Sequence, residues 1–151
     1  MTGKGSLNHN SRKFHAKNTD PNRTHWNVEY CNENIKDVYH ELFDEALKRY
    51  NDKQTRKDRK IDDYYEKIRS GKQEKLFHEV ILQIGDKDNM GSETMEGQLA
   101  AKILDEYMKG FQERNPTLRV FAAHLHLDEA TPHLHIDFIP YVTDWKGKGM
   151  D

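Results

Sequence analysis

Histidine alternates with apolar residues between positions 124 and 137, and this alternation constrains the fold more than any other feature of the chain. The histidines occupy positions 124, 126, 133 and 135, and residues 128–132 between the two pairs favour a turn. Because alternate residues of a β-strand share one face, the pattern predicts strands at residues 118–127 and 133–141. A short turn would join them in a hairpin with the histidines on one face.

The same alternation predicts an apolar layer on the other face of this hairpin. The residues expected in that layer are Phe121, Ala123, Leu125, Leu134, Ile136 and Phe138. Such a layer would pack against helices and hold the histidines in place.

Three of the histidines are candidates for a metal site, because the hairpin would bring His126 beside His133 and His135. Imidazole nitrogens suit divalent transition metals, and three protein ligands leave coordination positions open. A lone histidine is usually a hydrogen-bonded structural residue, but burying several imidazoles without a common partner costs desolvation energy. We expect His124 to be structural or a hydrogen-bond partner, and Glu129 to orient a histidine or a bound water.

The remaining chain predicts interleaved strands and helices. Residues 24–31 and 75–84 favour strands, and apolar residues at helical spacing favour helices at residues 35–50, 62–69 and 92–114. Asn32 or Asn34 would cap the first of these helices, and Ser92 would begin the last. In the last helix the apolar positions recur every four residues, at Leu99, Ile103, Tyr107 and Phe111. The expected fold is α+β, with a mainly antiparallel sheet and helices packed on one face.

Composition excludes several classes of protein. The chain has 151 residues, which suits one domain, and no apolar run is long enough to span a membrane. Cys31 is the only cysteine, which excludes an internal disulfide and a cysteine-based zinc site. With no apolar N-terminal signal segment, these features are typical of a cytoplasmic protein.

Charge is distributed unevenly along the chain. The net charge is -2, yet residues 48–75 hold 11 Lys and Arg against 6 Asp and Glu. A local cationic surface of this kind is what a nucleic-acid-binding protein needs. A solvated loop explains the stretch from Lys53 to Lys60 equally well.

Two motifs resemble those of the MobV-type (Mob/Pre) plasmid mobilisation relaxases, a branch of the HUH endonucleases. Residues 126–140 match H-x-D-E-x-T-P-H-x-H-x(4)-P. Near the start, His9 and Arg12 precede residues 18–27, which match N-x-D-P-x-R-[ST]-H-x-N. The two matches bracket nearly the whole chain.

The resemblance implies a relaxase (palm-like) fold and a metal-dependent enzyme that nicks and rejoins one DNA strand at an origin of transfer. It implies His9 as the nucleophile of a covalent 5′-phosphoryl-histidine intermediate, Arg12 as a phosphate contact and Glu129 as a support of the site. His126, His133 and His135 would bind the metal, with Mn²⁺ expected and Mg²⁺ or Zn²⁺ as alternatives. The motif positions expected to bind DNA or support the site are Arg12, Asp20, Arg23, His25 and Asn27.

The same resemblance implies single-stranded or hairpin origin DNA as the partner, and a homodimer in a longer protein. We expect residues 1–151 to form one relaxase domain that is truncated at its C-terminus, with a brief or absent strand before His9. Tyr64 and Tyr65 are an alternative nucleophile pair, although helical neighbours face different ways. Two other functions stay open: a DNA-binding module without catalysis, and a three-histidine metal hydrolase without a covalent intermediate.

Overall fold

A five-stranded antiparallel sheet forms the centre of the protein. The computed structural model describes residues 2–3, 5–86 and 88–143, so the last eight residues of the predicted domain lie outside the described part. The strands are β1 (Thr2–Gly3), β2 (Val28–Asn32), β3 (His78–Gln83), β4 (Leu118–His126) and β5 (His133–Pro140). Their order across the sheet is β1-β3-β5-β4-β2, and every neighbouring pair is antiparallel. The predicted hairpin of β4 and β5 is confirmed, and the strand before His9 is brief.

The helices are α1 (Leu7–Asn10), α2 (Ile35–Asp52), α3 (Tyr64–Ser70), α4 (Met95–Lys109) and α5 (Phe111–Arg114). Asn34 caps α2, because its side chain accepts from the backbone N–H groups of Lys36 and Asp37. Three-residue 3₁₀ turns lie at Thr24–Trp26 and Lys57–Arg59. Among the described residues, no helix combines the length and apolar character that crossing a membrane requires.

Several element boundaries differ from the sequence prediction; β3, for example, begins at His78 and not at residue 75. The strand predicted at residues 24–31 begins only at Val28, because the preceding residues form the 3₁₀ turn. The helix predicted at residues 92–114 begins after Thr94, whose hydroxyl accepts from the N–H of Gly97, and it is interrupted at Gly110. Ser92 is therefore not the capping residue.

Helices cover both faces of the sheet, which corrects the prediction of one covered face. On one face α4 and α5 pack on alternate residues of the hairpin, including Leu125, Leu134 and Ile136. On the other face, α2 and α3 pack on Phe121, Ala122 and Ile139. This second face is also the histidine face, since Ile139 follows His133 and His135 at even spacing along β5. The sheet is thus the middle layer of three.

A β-bulge explains why Phe121 lies on the histidine face and not, as predicted, with Ala123 and Leu125. Val120 pairs with Phe138, whereas Ala122 pairs with Asp137, so β4 has one extra residue at this point. An extra residue in one strand breaks the alternation of faces. Phe121 is consequently buried beneath α2 and α3, where its ring contacts Phe77.

The buried face of α4 is rotated relative to the predicted one. Leu99, Ile103 and Tyr107 are exposed, whereas the buried residues are Gly97, Ala100, Leu104 and Met108. A step of four residues in a helix with 3.6 residues per turn drifts by about 40° each time. Phe111 is buried, but it lies beyond the interruption at Gly110, as the first residue of α5.

Two leucines of α4 test this rotation. Leu104 is 3% exposed and Leu99 is 59% exposed. We expect Leu104→Ala to lower the free energy of unfolding by about 3 kcal/mol, because it leaves a cavity in the core. Leu99→Ala should change it by less than about 0.5 kcal/mol. Urea unfolding followed by circular dichroism measures both, and equal losses would contradict the assigned face.

Candidate metal centre and active site

The hairpin places four histidines on one face of the sheet. His126 pairs with His133 and His124 pairs with His135, and directly opposite residues of an antiparallel pair point to the same side. The rings of His126, His133 and His135 have centroids 4.8 to 5.2 Å apart. One nitrogen from each of these buried residues lies within 4.8 Å of the others. The sequence-predicted ligand set is thus brought together by strand register.

Hydrogen bonds leave ring nitrogens of this cluster free to bind a metal ion. His126 Nε2 donates to the carbonyl of Asn10 at 2.8 Å, and His133 Nδ1 donates to the carbonyl of Thr131 at 2.9 Å. In a neutral imidazole the opposite nitrogen then carries a lone pair. His126 Nδ1 and His135 Nε2 are buried without a hydrogen-bond partner among the described residues. Buried polar atoms of this kind are costly unless a ligand satisfies them, so the donor set fits a divalent metal.

Burial favours the protonation state that metal binding needs. It lowers the pKa of His126 to about 3, with the nearby His135 and Arg12 acting in the same direction. Metal ligation requires neutral imidazole. His124 differs from the other three, because its Nε2 lies 3.0 Å from the carboxylate of Glu29. It is a hydrogen-bond partner of β2 and lies outside the cluster.

His9 lies beside the cluster, on the short helix α1. Its ring centroid is 6.0 Å from that of His126 and 6.5 Å from that of His135. Its Nε2 is 3.2 Å from Arg12 Nη1 and 3.4 Å from Glu129 Oε1. Burial, followed by the charge of Arg12, lowers the pKa of His9, so its imidazole is neutral near pH 7. The fold therefore joins the two distant motifs into one site.

The guanidinium of Arg12 is hydrogen-bonded to other groups of the protein. Its Nε and Nη2 donate to both carboxylate oxygens of Asp128, and Nη2 also donates to Glu129 Oε1 at 2.8 Å. Its Nη1 contacts the carbonyl oxygen and Nε2 of His9. These contacts engage all three nitrogens of the guanidinium, and the side chain is only 8% exposed. The geometry favours a positioning role over the phosphate contact that the resemblance implied.

The turn after β4 holds the N-terminal motif in place. The Asp128 carboxylate accepts from Thr24 Oγ1 at 3.1 Å, and its carbonyl accepts from the Asp20 N–H at 2.7 Å. The Asn27 side chain accepts from the N–H of Leu127 at 2.7 Å. The Glu129 carboxylate accepts from Asn18 Nδ2 at 2.8 Å. These bonds bind the irregular segment 18–27 to the hairpin.

Both acidic residues of this turn are ionised. Burial by itself would raise the pKa of Asp128, but hydrogen bonds from Arg12 and Thr24, together with the nearby side chain of Asn27, lower it to about 2. Burial would likewise raise the pKa of Glu129, but the neighbouring His133 and Arg12 lower it to about 2. Two carboxylates thus surround one guanidinium beside His9.

The other residues that the resemblance assigned to DNA binding or site support lie around the rim of the site formed by the histidine cluster and His9. Arg23 pairs with Asp20 at 3.1 Å and with Glu93 at 3.0 Å. His25 is exposed and its ring contacts Trp26. Asn27 is the innermost of them, through its bond to the end of β4. Asp20 and Asn27 thus support the site, whereas His25 faces solvent.

Tyr64 and Tyr65 lie in a different part of the molecule. Both pack against Tyr39, in the layer between the sheet and helices α2 and α3. This packing favours His9 over the tyrosine alternative.

Sequence reasoning missed two buried polar residues behind the histidines. Asn10 donates from Nδ2 to Glu79 at 2.6 Å and to Asp137 at 3.2 Å. Glu79 lies opposite Asp137 in the sheet, and burial together with this neighbour raises the pKa of Asp137 to about 8. The signal for Glu79 was a carboxylate directly before the apolar stretch from Val80 to Leu82, and Asn10 follows His9 directly.

The Arg12–Asp128 ion pair can be tested by stability. We expect Asp128→Asn to lower the free energy of unfolding by about 3 kcal/mol, because it removes one of the two carboxylates that compensate the charge of a buried guanidinium. Asp58→Asn is the matched control, since Asp58 pairs with Arg56 on the exposed surface, and it should produce no measurable change. Urea unfolding distinguishes the two, and an unchanged midpoint for Asp128→Asn would show that the pair does not hold the site.

Comparisons with known proteins agree with the geometry. The MobM relaxase domain in a Mn-bound crystal structure with 22-nucleotide plasmid pMV158 oriT DNA aligns with a TM-score of 0.55 and 25% identity. The alignment covers 94% of this chain and 66% of that chain, so this chain spans less than two thirds of the matched domain. A second Mn-bound structure of MobM with this DNA aligns at 23% identity over 96% of this chain and 68% of that chain, with a TM-score of 0.49. No protein of curated function matches significantly.

The first alignment shows that the α+β sheet has the fold of the MobM relaxase domain. The profile of the Mob_Pre family, described as plasmid recombination enzyme, matches residues 4–149. The resemblance that the two motifs indicated is confirmed, and the chain belongs to the Mob/Pre family of plasmid recombination enzymes.

Proposed function

We propose that this chain is a metal-dependent DNA relaxase that nicks and rejoins one strand at an origin of transfer, through a covalent 5′-phosphoryl-histidine at His9. The observation that carries the proposal is the position of His9, with its ring 6.0 Å from that of His126. A neutral, partly exposed imidazole beside three candidate metal ligands is the arrangement that attack on a phosphodiester needs.

His126, His133 and His135 would hold the metal, and Mn²⁺ is our choice because the matched MobM structures are Mn-bound. Mg²⁺ and Zn²⁺ are the alternatives. When bound, a divalent ion withdraws charge from the non-bridging oxygens of the scissile phosphate. Imidazole ligands add no negative charge, so the ion would keep its full positive charge for the phosphate.

His9 supplies the nucleophilic nitrogen. Its lone pair forms a bond to phosphorus, the P–O3′ bond breaks, and the departing oxygen takes a proton from solvent water to become a free 3′-hydroxyl. The 5′-phosphate stays on His9, and attack by the 3′-hydroxyl reverses the reaction and rejoins the strand. No change in redox state occurs.

Arg12 and Glu129 act on this step by holding His9. The contacts of Arg12 to the carbonyl and Nε2 of His9 fix both the helix and the ring, and Glu129 Oε1 lies 3.4 Å from the same nitrogen. Positioning of this kind accounts for a large part of catalysis in reactions with an oriented nucleophile. We therefore place both residues in the catalytic machinery, Arg12 as a positioning residue.

The proposed partner is single-stranded or hairpin origin DNA. Arg23 and His25 at the rim are the proposed contacts, with Asn27 supporting the turn beneath them. The basic residues of the segment 48–75 would extend the surface by attraction to phosphates. We also propose that residues 1–151 act as one catalytic domain in the cytoplasm, and that a longer protein containing it forms a homodimer.

The decisive experiment traps the covalent intermediate. Single-stranded DNA from the plasmid that encodes the chain, tiled as 40-nucleotide oligonucleotides with a 3′ fluorophore, is incubated with protein and Mn²⁺. Denaturing electrophoresis should show the 3′ label on the protein, because the protein stays on the 5′-phosphate of the downstream fragment. The adduct should disappear with EDTA and fall by more than about 100-fold in His9→Ala, since the nucleophile is lost.

Two variants are matched controls. His15→Ala removes an exposed histidine from the same segment, and Tyr64→Phe/Tyr65→Phe removes the alternative hydroxyls; both should retain the adduct. An adduct that survives His9→Ala would overturn the nucleophile. Metal-dependent cleavage without an adduct would identify a hydrolase, and DNA retention without any cleavage would identify a binding module.

A further inference from the structure

Two buried side chains outside the ligand set connect the metal ligands to the helix that carries His9. Asn10 is 2% exposed and Glu79 is 4% exposed. Neither is a predicted ligand, and neither belongs to the contacts of Arg12. Buried polar groups are costly to retain unless they are fully paired, so their partners indicate what they do.

Asn10 contacts both the ligand set and the acidic residues behind it. Its backbone carbonyl accepts from His126 Nε2 at 2.8 Å. Its side-chain amide donates to Glu79 Oε2 at 2.6 Å and to Asp137 Oδ2 at 3.2 Å. Because Asn10 directly follows His9, the residue that orients His126 also fixes the end of α1.

Glu79 contacts a second ligand from the neighbouring strand. Its Oε2 lies 3.3 Å from His135 Nδ1, on the side of the ring opposite the free Nε2. Gly5 packs so closely on this carboxylate that a Cβ at position 5 would collide with it. The carboxylate is therefore confined between Gly5 and His135.

We propose that Asn10 and Glu79 are positioning residues that fix the ring orientations of His126 and His135 and lock the His9 helix onto the metal centre. Carbonyl and carboxylate partners on the outer nitrogen of a ligand histidine set its tautomer and raise its basicity. Here Asn10 supplies the carbonyl that binds His126, and its side-chain amide binds Glu79, the partner of His135. The orientation of the two ligands and the position of His9 are therefore coupled. The inference rests on the proposed metal site.

The test is Mn²⁺ binding by calorimetry, with the thermal midpoint of the metal-free protein measured for each variant. Glu79→Gln removes the carboxylate beside His135, and Asn10→Ala removes the bridging amide while leaving the carbonyl bond to His126. Both should bind Mn²⁺ about 10–100-fold more weakly than the wild type. The double variant should lose less affinity than the two single losses combined, because Asn10 and Glu79 are in direct contact and act on the same ligands.

Matched controls separate this effect from loss of folding. Asn8→Ala changes the same residue type on the exposed side of α1, and Glu113→Gln changes an exposed carboxylate of α5. Both should bind Mn²⁺ as the wild type does, and His133→Ala/His135→Ala should not bind. If Glu79→Gln does not give a folded protein, the Mn²⁺ affinity of Asn10→Ala alone is compared with that of the wild type, since this substitution buries no new polar group.

The outcomes distinguish failure of the positioning role from failure of the proposed metal site. Folded Asn10→Ala and Glu79→Gln with wild-type affinity would overturn the positioning role and leave the proposed function intact. A folded wild type that binds no Mn²⁺ would overturn the metal site itself, and the positioning role with it. A loss of affinity that appears equally in the two control variants would also contradict the inference.

Discussion

The buried ion pair between Arg12 and Asp128 is the interaction on which the rest of the site depends. It joins an irregular N-terminal segment to the turn of a hairpin more than a hundred residues later. A buried charge pair is a net cost unless its remaining donors and acceptors are satisfied. Here Glu129, Thr24 and the His9 carbonyl satisfy them. The pair also fixes Arg12 at a φ of 52°, a left-handed conformation that other contacts must compensate.

The position of His9, the proposed nucleophile, follows from this pair. Helix α1 has only four residues, and a helix of that length has little stability of its own. Arg12 holds one end of it through His9, and Asn10 holds the same end through His126. The segment 18–27, which has one 3₁₀ turn, is likewise placed by its bonds to the turn of the hairpin. An N-terminal segment with little regular structure thus becomes part of a defined site because the hairpin supplies its partners.

Local alternation was sufficient to predict the hairpin and the three converging histidines, because the period of a strand fixes which side chains share a face. The helical period predicted α2 equally well. The bulge at Phe121, the rotated face of α4 and the second helical layer were not predictable in this way. Each depends on what packs against the element, and a single sequence contains no direct record of those contacts.

The site was predictable to a similar extent. Motif positions led to His9, Arg12 and Glu129, but only the structure shows that all three guanidinium nitrogens of Arg12 contact protein atoms. Asn10 and Glu79 were missed because their importance comes from pairings across 69 residues of sequence. Neither residue type is a strong metal or catalytic signal when it stands alone.

The most direct measurement of the central claim is an anomalous difference map from crystals of the protein grown with Mn²⁺ and recorded at the manganese absorption edge. We expect one strong peak per chain, within bonding distance of a ring nitrogen of each of His126, His133 and His135, with the His9 ring beside it. A well-ordered hairpin without a peak there, or a single peak held by other residues, would contradict this expectation.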